Sequence, residues 1–425
     1  MSVVTTLTRA VTRYANRFHG ALGFEHHVAS PLGAWILLAL AADGATDPHL
    51  GRLEDILGMD APAAGAAART LLGAPHEAVA AGAVIWSGRQ ASTGDFTDWL
   101  ARVSPPAAAG PIPSQEDADA WAAKATGGLI NAFPLSLDPR PDLVLASALA
   151  TRVSWSAPFE LAGERELTLA RTGGWEQLRT LLAAPAAHRQ MIVTAACGDV
   201  GVHLAEATNG LLVASVIAGP ETHPGSVMAA AHQIAVAAAG SGTGHGAVAG
   251  ARSLFELPCG PGPAWTIAER TTRTTSESGR EENVRSLLPA WSATSRHQLG
   301  AHATLGFGDA AGALAALLVV EPEGYTFEAV QAATASYSRF GFEAAAVTAM
   351  SFMATGMPPR LRDGLARDAR IEFTHPYAVV AVALDRGWTR DGACYGPWHG
   401  LPVFSGWVSS PQEAVPVRQA VTAAG

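Results

Sequence analysis

The residues that could carry phosphate chemistry do not form a recognised binding motif. Residues 240–246 read Gly-Ser-Gly-Thr-Gly-His-Gly, which has the glycine content of a phosphate-binding loop. The spacing is not G-x-G-x-x-G, and no strong strand leads into it. The one lysine, Lys124, is followed by Ala125, which excludes a P-loop. We therefore predict a surface loop at this stretch.

Hydrolytic and metal signatures are also missing. No G-x-S-x-G elbow occurs, and His26 and His27 have no partner at zinc-ligand spacing. Cys197, Cys259 and Cys394 are far apart, so we expect buried free thiols without a disulfide framework. The sequence predicts no catalytic residues, no metal site and no cofactor, and the protein is not expected to be an enzyme.

One segment, residues 341–359, differs from the rest of the chain. It reads Gly-Phe-Glu-Ala-Ala-Ala-Val-Thr-Ala-Met-Ser-Phe-Met-Ala-Thr-Gly-Met-Pro-Pro. As a strand of period two it would place its charge, Glu343, on one face and an apolar series on the other. Glycine at the start and Gly-Met-Pro-Pro at the end interrupt a strand. The pattern predicts a segment that can join a sheet but is bounded like a loop; a small-residue helix or an ordinary sheet strand is the alternative.

Several helices can be placed from periodicity and capping. Residues 4–22 carry apolar side chains at helical spacing and predict an amphipathic helix. Ser30-Pro31 is typical of a helix start, and the helix that follows is apolar on nearly all sides. Asp60 should cap another helix, and residues 115–130 and 229–239 are also predicted to be helical.

Strand patterns dominate the second half of the chain. Residues 143–155, 288–294 and 327–339 are predicted strands, and residues 377–384 and 401–408 should form a hairpin with a long connection. Helices precede strands, and no clean linker separates them. This order predicts one α+β unit, residues 1–425, in which N-terminal helices pack on a large sheet, rather than separate domains.

Composition restricts the function classes. Hydrophobic residues make up 48% of the chain, so a large core can form, and the net charge of −9 with a pI near 5.9 argues against a nucleic-acid partner. The longest apolar runs are too short to span a membrane. The N-terminus has no apolar signal core, which predicts a cytoplasmic protein. The bias toward arginine and alanine is typical of a GC-rich bacterial genome.

Seven blocks in order resemble motifs of the serpin family of serine protease inhibitors. Residues 341–348, Gly-Phe-Glu-Ala-Ala-Ala-Val-Thr, are similar to the serpin hinge, Gly-Thr-Glu-Ala-Ala-Ala-Ala-Thr. The other blocks are residues 29–35, 145–159, 288–291, 305–309, 375–377 and 402–411. They extend from the Ser-Pro helix start to the closing Phe-Ser-Gly-Trp-Val segment. The resemblance covers nearly the whole chain, about residues 4–413.

The resemblance implies a fold and a mechanism. A serpin is a single domain with a large central sheet and an exposed reactive loop, here residues 341–359. A protease cleaves the loop, and the loop then inserts into the sheet as a new strand before the acyl-enzyme is hydrolysed. The implied partner is a serine protease, and the implied state is a monomer. Many serpins are secreted, so an extracellular location is the alternative to a cytoplasmic one.

The resemblance also assigns site residues. The loop length usual in the family places the reactive bond at Thr355–Gly356, which suits an elastase-like or subtilisin-like protease with a small primary pocket. Phe352 or Met353 would instead suit a chymotrypsin-like protease. The implied hinge comprises Gly341, Phe342, Glu343, Ala344, Ala345, Ala346, Val347 and Thr348, and the implied gating region comprises Ser30, Gly33, Trp35 and Ser147.

Some positions depart from the family pattern and support a second interpretation. Phe342 replaces a hydroxyl residue at the first position to insert, and Arg339-Phe340 replaces an acidic pair. Gly33 and Trp35 replace two small hydroxyl residues of the gating region. The alternative function is therefore a non-inhibitory protein of the same fold that acts in binding or as a chaperone.

Overall fold

The computed structural model describes residues 3–88, 94–139, 141–151, 153–240, 248–318, 327–341, 361–389 and 392–412. Within these ranges the chain forms nine α-helices. They are α1 (Val3–Leu22), α2 (Pro31–Ala42), α3 (Leu50–Leu57), α4 (Ala61–Gly73), α5 (Gly94–Val103), α6 (Gln115–Ala125), α7 (Glu164–Thr172), α8 (Pro224–Gly240) and α9 (Phe307–Leu317). Short 3-10 turns occur at Leu254–Glu256, Leu299–Ala301 and Ala303–Leu305.

The same ranges contain nineteen strands. They are β1 (His27–Ala29), β2 (Val79–Ser87), β3 (Ala108–Pro111), β4 (Leu143–Thr151), β5 (Glu160–Leu161), β6 (Leu181–Ala183), β7 (Arg189–Ala195), β8 (Gly198–Glu206), β9 (Leu211–Ile217), β10 (Gly260–Pro261), β11 (Trp265–Thr274), β12 (Arg280–Pro289), β13 (Trp291–Gln298), β14 (Val330–Tyr337), β15 (Arg362–Glu372), β16 (Tyr377–Ala383), β17 (Arg386–Thr389), β18 (Gly392–Tyr395) and β19 (Pro402–Val408).

These strands form two large sheets and three small ones. One six-stranded sheet has the order β1-β19-β16-β9-β8-β7, and the other has the order β10-β11-β15-β12-β6-β5. The smaller sheets are β3-β2-β4, β13-β14 and β17-β18. The predicted hairpin is confirmed, since β16 and β19 pair antiparallel from Tyr377–Val408 onward. The α+β class is confirmed as well.

The N-terminal helices form as the sequence predicts. The buried side chains of α1, among them Val11, Tyr14 and Phe18, repeat at helical spacing and face the core. Helix α2 is buried on nearly all sides, and the Ser30 side chain caps it by accepting a hydrogen bond from the Gly33 amide at 3.2 Å. Among the described helices, none is long and apolar enough to cross a bilayer.

Several predicted boundaries are wrong. The helix expected over residues 115–130 ends at Ala125, because the Thr126 hydroxyl bonds the Ala122 carbonyl and accepts from the Ile130 amide, which turns the chain. The single strand expected over residues 288–294 is divided between β12 and β13. Ala290 separates the two strands and donates its amide to the Thr180 carbonyl instead. The strand expected to reach residue 155 ends at Thr151.

Helix α2 lies beneath two strands that belong to different sheets. The Ser147 hydroxyl of β4 donates to the Gly33 carbonyl of α2 at 3.0 Å, and Gln331 of β14 bonds Ser30 at the start of α2. Beyond their C-terminal ends the two strands meet at a bridge between Ser154 and Gly341. β4 and β14 therefore run in the same direction across α2, and in the part of the chain that is described no continuous ladder joins them.

Candidate functional site: a gap between two parallel strands

A cavity of about 520 Å³ lies where β4 and β14 diverge, and we call it the strand gap. Its floor is α2, and α9 and the residues after α6 also line it. Side chains of β4 alternate about the sheet: Val144 and Ala146 face the α6 side, whereas Leu145 and Leu149 face the α2 side. The strand gap therefore has two strand edges as walls and a mostly apolar base.

Three hydrogen bonds hold the two walls on α2, and a fourth joins the start of α2 to β19. The Gln331 side-chain amide accepts a hydrogen bond from the Ser30 backbone amide at 2.9 Å and donates one to the Ser30 carbonyl at 2.8 Å. The Ser30 hydroxyl donates to the Val403 carbonyl at 2.9 Å. On the other wall Ser147 bonds the Gly33 carbonyl at 3.0 Å. Each contact is one hydrogen bond, so the release of either wall from α2 requires that only one or two modest interactions be broken.

The structure brings together three of the four predicted gating residues. Ser30, Gly33 and Ser147 all line the strand gap. A methyl group on Gly33 would lie 3.3 Å from the Ser30 hydroxyl and 3.4 Å from the Ser147 hydroxyl, so the glycine allows both contacts to form. Trp35 lies apart from them: its indole is fully buried and donates to the Leu57 carbonyl at 3.1 Å.

Gln331 is a gap residue that the sequence reasoning missed. It lies in a strand of mostly small residues, Val-Gln-Ala-Ala-Thr-Ala-Ser-Tyr, and its exposure is intermediate. The signal that could have identified it is its period-two relation to Ala333, Ala335 and Tyr337, which face the core. A long amide on the core-facing side of such a strand requires polar partners, and Ser30 supplies them.

One end of the strand gap is closed by Gly341, and we call this the closed end. Gly341 has φ +87° and forms the bridge with Ser154. A side chain at this position would collide with the Val153 carbonyl oxygen, so both the backbone angle and the close approach require glycine. Trp155 adds two bonds, from its amide to the Phe340 carbonyl at 3.3 Å and from its indole to the Ser338 carbonyl at 2.9 Å.

Arg339 adds further contacts at the closed end. Its guanidinium Nε donates to the Phe159 carbonyl at 3.1 Å, while its own carbonyl accepts from the Phe159 amide at 3.0 Å. The guanidinium also lies 4.8 Å from the centre of the Phe340 ring. These reciprocal contacts connect the end of β14 to the residues that follow β4.

A pair of buried histidines lies behind the closed end. The His188 ring bonds the Ala157 carbonyl at 2.8 Å and the His203 ring at 2.9 Å. The other His203 nitrogen lies 3.5 Å from the Tyr337 hydroxyl, and Phe159 packs against both imidazoles. Burial lowers the pKa of His188 to about 4 and lowers that of His203 well below its usual value. Both rings are therefore neutral at pH 7.

The remaining predicted site residues lie outside the described residues. Of the hinge, only Gly341 is described, and Phe342 through Thr348 are not. The proposed reactive bond, Thr355–Gly356, and the alternatives Phe352 and Met353 also lie outside. Their assignment therefore remains a prediction from the sequence.

The prediction that the cysteines are buried is wrong. All three cysteines are free thiols. Cys259 and Cys394 are exposed, because the first lies in the loop before the short strand β10 and the second on the short β17–β18 hairpin. Within the described ranges, no group of three or more His, Cys, Asp or Glu side chains is arranged to hold a metal ion.

Comparison with solved structures identifies the fold. The native state of tengpin, a thermophilic serpin, is 14% identical, with a TM-score of 0.58 over 96% of this chain and 94% of that one. Human glycosylated kallistatin is 13% identical, with a TM-score of 0.59 over 98% and 100% of the two chains. Human thyroxine-binding globulin in complex with thyroxine is 12% identical, with a TM-score of 0.57 over 97% and 100%. No family model and no curated protein matches the chain.

These likenesses show the fold of the chain. The chain has the serpin fold, which confirms the fold that its sequence motifs implied. Within that fold the strand gap lies between β4 of the three-stranded sheet and β14 of the sheet β13-β14.

Proposed function

We propose that this protein inhibits serine-type endopeptidases as a suicide substrate. The observation that carries the proposal is the strand gap, which separates β4 from β14 directly beside Gly341, where the candidate reactive loop begins. Two parallel strands that are not paired to each other leave backbone donors and acceptors on facing edges. A third strand that entered between them would satisfy both edges.

The direction of the chain favours insertion. β14 runs toward the closed end, and the positive φ of Gly341 is suited to reversing the chain there. The segment that follows would then run antiparallel to both β14 and β4. An inserted strand with antiparallel neighbours on both sides has favourable ladder geometry on each edge.

The side chains of the hinge also suit an inserted strand. Ala344 and Ala346 fall on the same face as Phe342, and this face would point toward α2, as Leu145 and Leu149 of β4 do. Small residues pass between existing strands with little displacement of neighbouring side chains. Burial of this face would add hydrophobic free energy to that of the new hydrogen bonds.

The inhibitory chemistry is an acyl transfer that is arrested at the acyl-enzyme ester. The protease serine attacks the carbonyl carbon of Thr355, the bond to the Gly356 nitrogen breaks, and the amine leaves with a proton from the protease histidine. The loop remains attached to the protease as an ester. Insertion of the loop before water attacks that ester would move and distort the protease. Trapping therefore depends on insertion being faster than deacylation.

The partner is proposed from the sequence. Threonine before the reactive bond favours a protease with a small primary pocket, of elastase or subtilisin type. We propose that the inhibitor acts as a monomer, without nucleic acid or membrane as a partner. Cytoplasmic action is the first proposal for location, and extracellular action is the second.

Two measurements with a panel of proteases test the proposal. Incubation with an active protease should give an SDS-resistant product at the summed mass, and the same protease with its catalytic serine changed to alanine should give none. Cleavage in the loop should raise Tm well above that of the intact protein. Cleavage by every protease with simple turnover and an unchanged Tm would overturn the proposal.

A binding function without inhibition is the second candidate. The reciprocal contacts between Arg339 and Phe159 favour it, because they hold the closed end shut. Thyroxine-binding globulin has this fold and is described as a complex with a small molecule. Under this alternative, cleavage leaves Tm unchanged. Arg339→Met keeps the apolar stem but removes the bond to the Phe159 carbonyl. In this variant, unlike the wild type, cleavage should then raise Tm.

A further inference from the structure

Hydrogen bonds determine the tautomers of the two buried histidines at the closed end. The Ala157 carbonyl can only accept, so His188 Nε2, at 2.8 Å from it, carries a proton. In the neutral ring His188 Nδ1 is then an acceptor, and it accepts a hydrogen bond from the protonated His203 Nε2 at 2.9 Å. His203 Nδ1 is left as an acceptor for the Tyr337 hydroxyl at 3.5 Å. One proton on each ring satisfies the whole chain of contacts.

This chain of contacts connects the two walls of the strand gap to the six-stranded sheet that contains β7 and β8. Ala157 follows β4, and Tyr337 is the last residue of β14. His203 belongs to β8, and His188 immediately precedes β7, in the sheet behind them. Separation of β4 from β14 at the closed end must therefore disturb the histidine pair or its two end contacts.

Neither ring has a carboxylate to stabilise a positive charge. In the described part of the chain, no ion pair or hydrogen bond joins either histidine to an acidic side chain. On β8 the nearest acid along the strand, Glu206, lies 3.7 Å from the Arg189 guanidinium of β7. The Arg339 guanidinium donates to the Phe159 carbonyl. From β14 and β16 the titratable groups are the buried phenols of Tyr337 and Tyr377, whose pKa values burial raises, so both are neutral.

We infer that protonation of the His188–His203 pair opens the closed end, so that strand insertion is faster in mildly acidic solution. A proton on the pair would place an uncompensated charge in an apolar site between Phe159 and Tyr337. Opening gives the imidazolium access to water and relieves that penalty. Acid therefore favours the open state. The inference deepens the proposed function, on which its biological meaning rests.

The expected size follows from proton linkage. The pKa of His188 is about 4 in the closed state, and a solvated histidine has a pKa of about 6.5. If opening restores the usual value, a change from about pH 7.5 to about pH 5.5 raises the population of the open state about tenfold for one histidine. The second histidine adds to this effect. Stability of the closed end is thus retained at neutral pH and is lost as pH falls below about 6.5.

Hydrogen exchange in the intact protein tests the inference. Protection factors of peptides from residues 143–155 and 330–341, corrected for the intrinsic pH dependence of exchange, should fall about tenfold or more between about pH 7.5 and about pH 5.5. His188→Gln and His203→Gln should each reduce this fall. The matched control is His223→Gln, because His223 is exposed and lies at the start of α8. His203→Phe, which keeps a ring against Phe159, serves if an amide at this site prevents folding.

The outcomes separate the inference from the proposed function. Wild-type protection factors that do not change with pH, or folded variants with the full wild-type pH dependence, would overturn the inference. The change in Tm on cleavage at about pH 7.5 tests insertion independently of the histidines. A pH-dependent closed end in a protein that gains no stability on cleavage would overturn the inhibitor proposal alone.

Discussion

The Ser147 hydroxyl donates a 3.0 Å hydrogen bond to the Gly33 carbonyl oxygen and so joins strand β4 to helix α2 across the floor of the strand gap. The donor is on one wall, and the acceptor is in the first turn of the helix beneath both walls. On the other wall the equivalent contact is made by Gln331 with Ser30. Ser147, Gly33, Gln331 and Ser30 thus hold the two walls on the start of α2, away from the closed end.

We predict that Ser147→Ala makes the strand gap easier to open. Loss of one partly buried hydrogen bond should lower the free energy of unfolding by about 1 kcal/mol. The same amount, taken from the barrier to opening, would make insertion about fivefold faster. The rate at which a synthetic peptide of residues 342–352 binds the intact protein measures this. Ser336→Ala, on the exposed side of β14, is the matched control. Equal rates for Ser147→Ala and wild type would contradict the prediction.

Gly341→Ala should disrupt the closed end. The left-handed backbone conformation costs about 1–2 kcal/mol for a residue with Cβ, and the new methyl group would also press on the Val153 carbonyl. Gly198→Ala separates the two effects, since Gly198 has φ +102° but no neighbouring atom within 4 Å of the place where its methyl group would lie. We expect Gly341→Ala to lower the urea midpoint more than Gly198→Ala. Equal losses would mean that the close approach to Val153 has no energetic effect.

Phe342 should set the balance between inhibitor and substrate behaviour. It is the first residue expected to insert toward the core, and overpacking by a large ring typically costs about 1–3 kcal/mol. Phe342→Thr should therefore lower the number of inhibitor molecules consumed per protease inactivated. Phe342→Arg should abolish trapping, because a charge would have to be buried. An increase in consumption with Phe342→Thr would show that the sheet has a pocket that fits the ring.

A second group of buried histidines predicts acid lability. His19 and His27 lie 2.8 Å apart between ring nitrogens, and His232 and His297 pack against them. Burial lowers the pKa of His27 and of His232 to about 4. The unfolded chain, with histidine pKa values of about 6.5, then binds more protons between those two values. Stability should fall as pH falls through this window, by about 1.4 kcal/mol per pH unit for each histidine.

His232→Met isolates one of these titrations. His232 Nδ1 bonds the Met228 carbonyl at 3.0 Å, whereas His232 Nε2 has no hydrogen-bond partner in the described structure, so an apolar side chain loses one modest bond and removes one unpaired buried polar atom. Urea unfolding between about pH 7 and about pH 4 should show a shallower loss of stability for the variant. His223→Gln should follow the wild-type curve. An unchanged slope for His232→Met would mean that another group dominates acid unfolding.

Local pattern was sufficient to predict much of the framework. The amphipathic spacing of α1 and the Ser30 cap of α2 depend on interactions close in sequence, and β16 and β19 are continuous apolar runs typical of buried strands. The glycine at position 341 was identified from its place in a motif, and its positive φ follows from the absence of Cβ. In these cases the chemistry of the residue itself, including the missing side chain of Gly341, determines the local structure.

Contacts between distant residues could be known only from the tertiary structure. Gln331 bonds Ser30 across about 300 residues of sequence, and His203 of β8 contacts His188, which precedes β7, and Tyr337 of β14. The extended segment is also interrupted at Ala290, between β12 and β13, because the Ala290 amide donates a hydrogen bond to the distant Thr180 carbonyl. Such partners are chosen by packing of the whole sheet, and the free energy of each contact depends on burial that no local pattern reports. The sequence by itself therefore determined many of the elements and the glycine at position 341, whereas the tertiary structure decided where β4 and β14 diverge and which groups hold them together at the closed end.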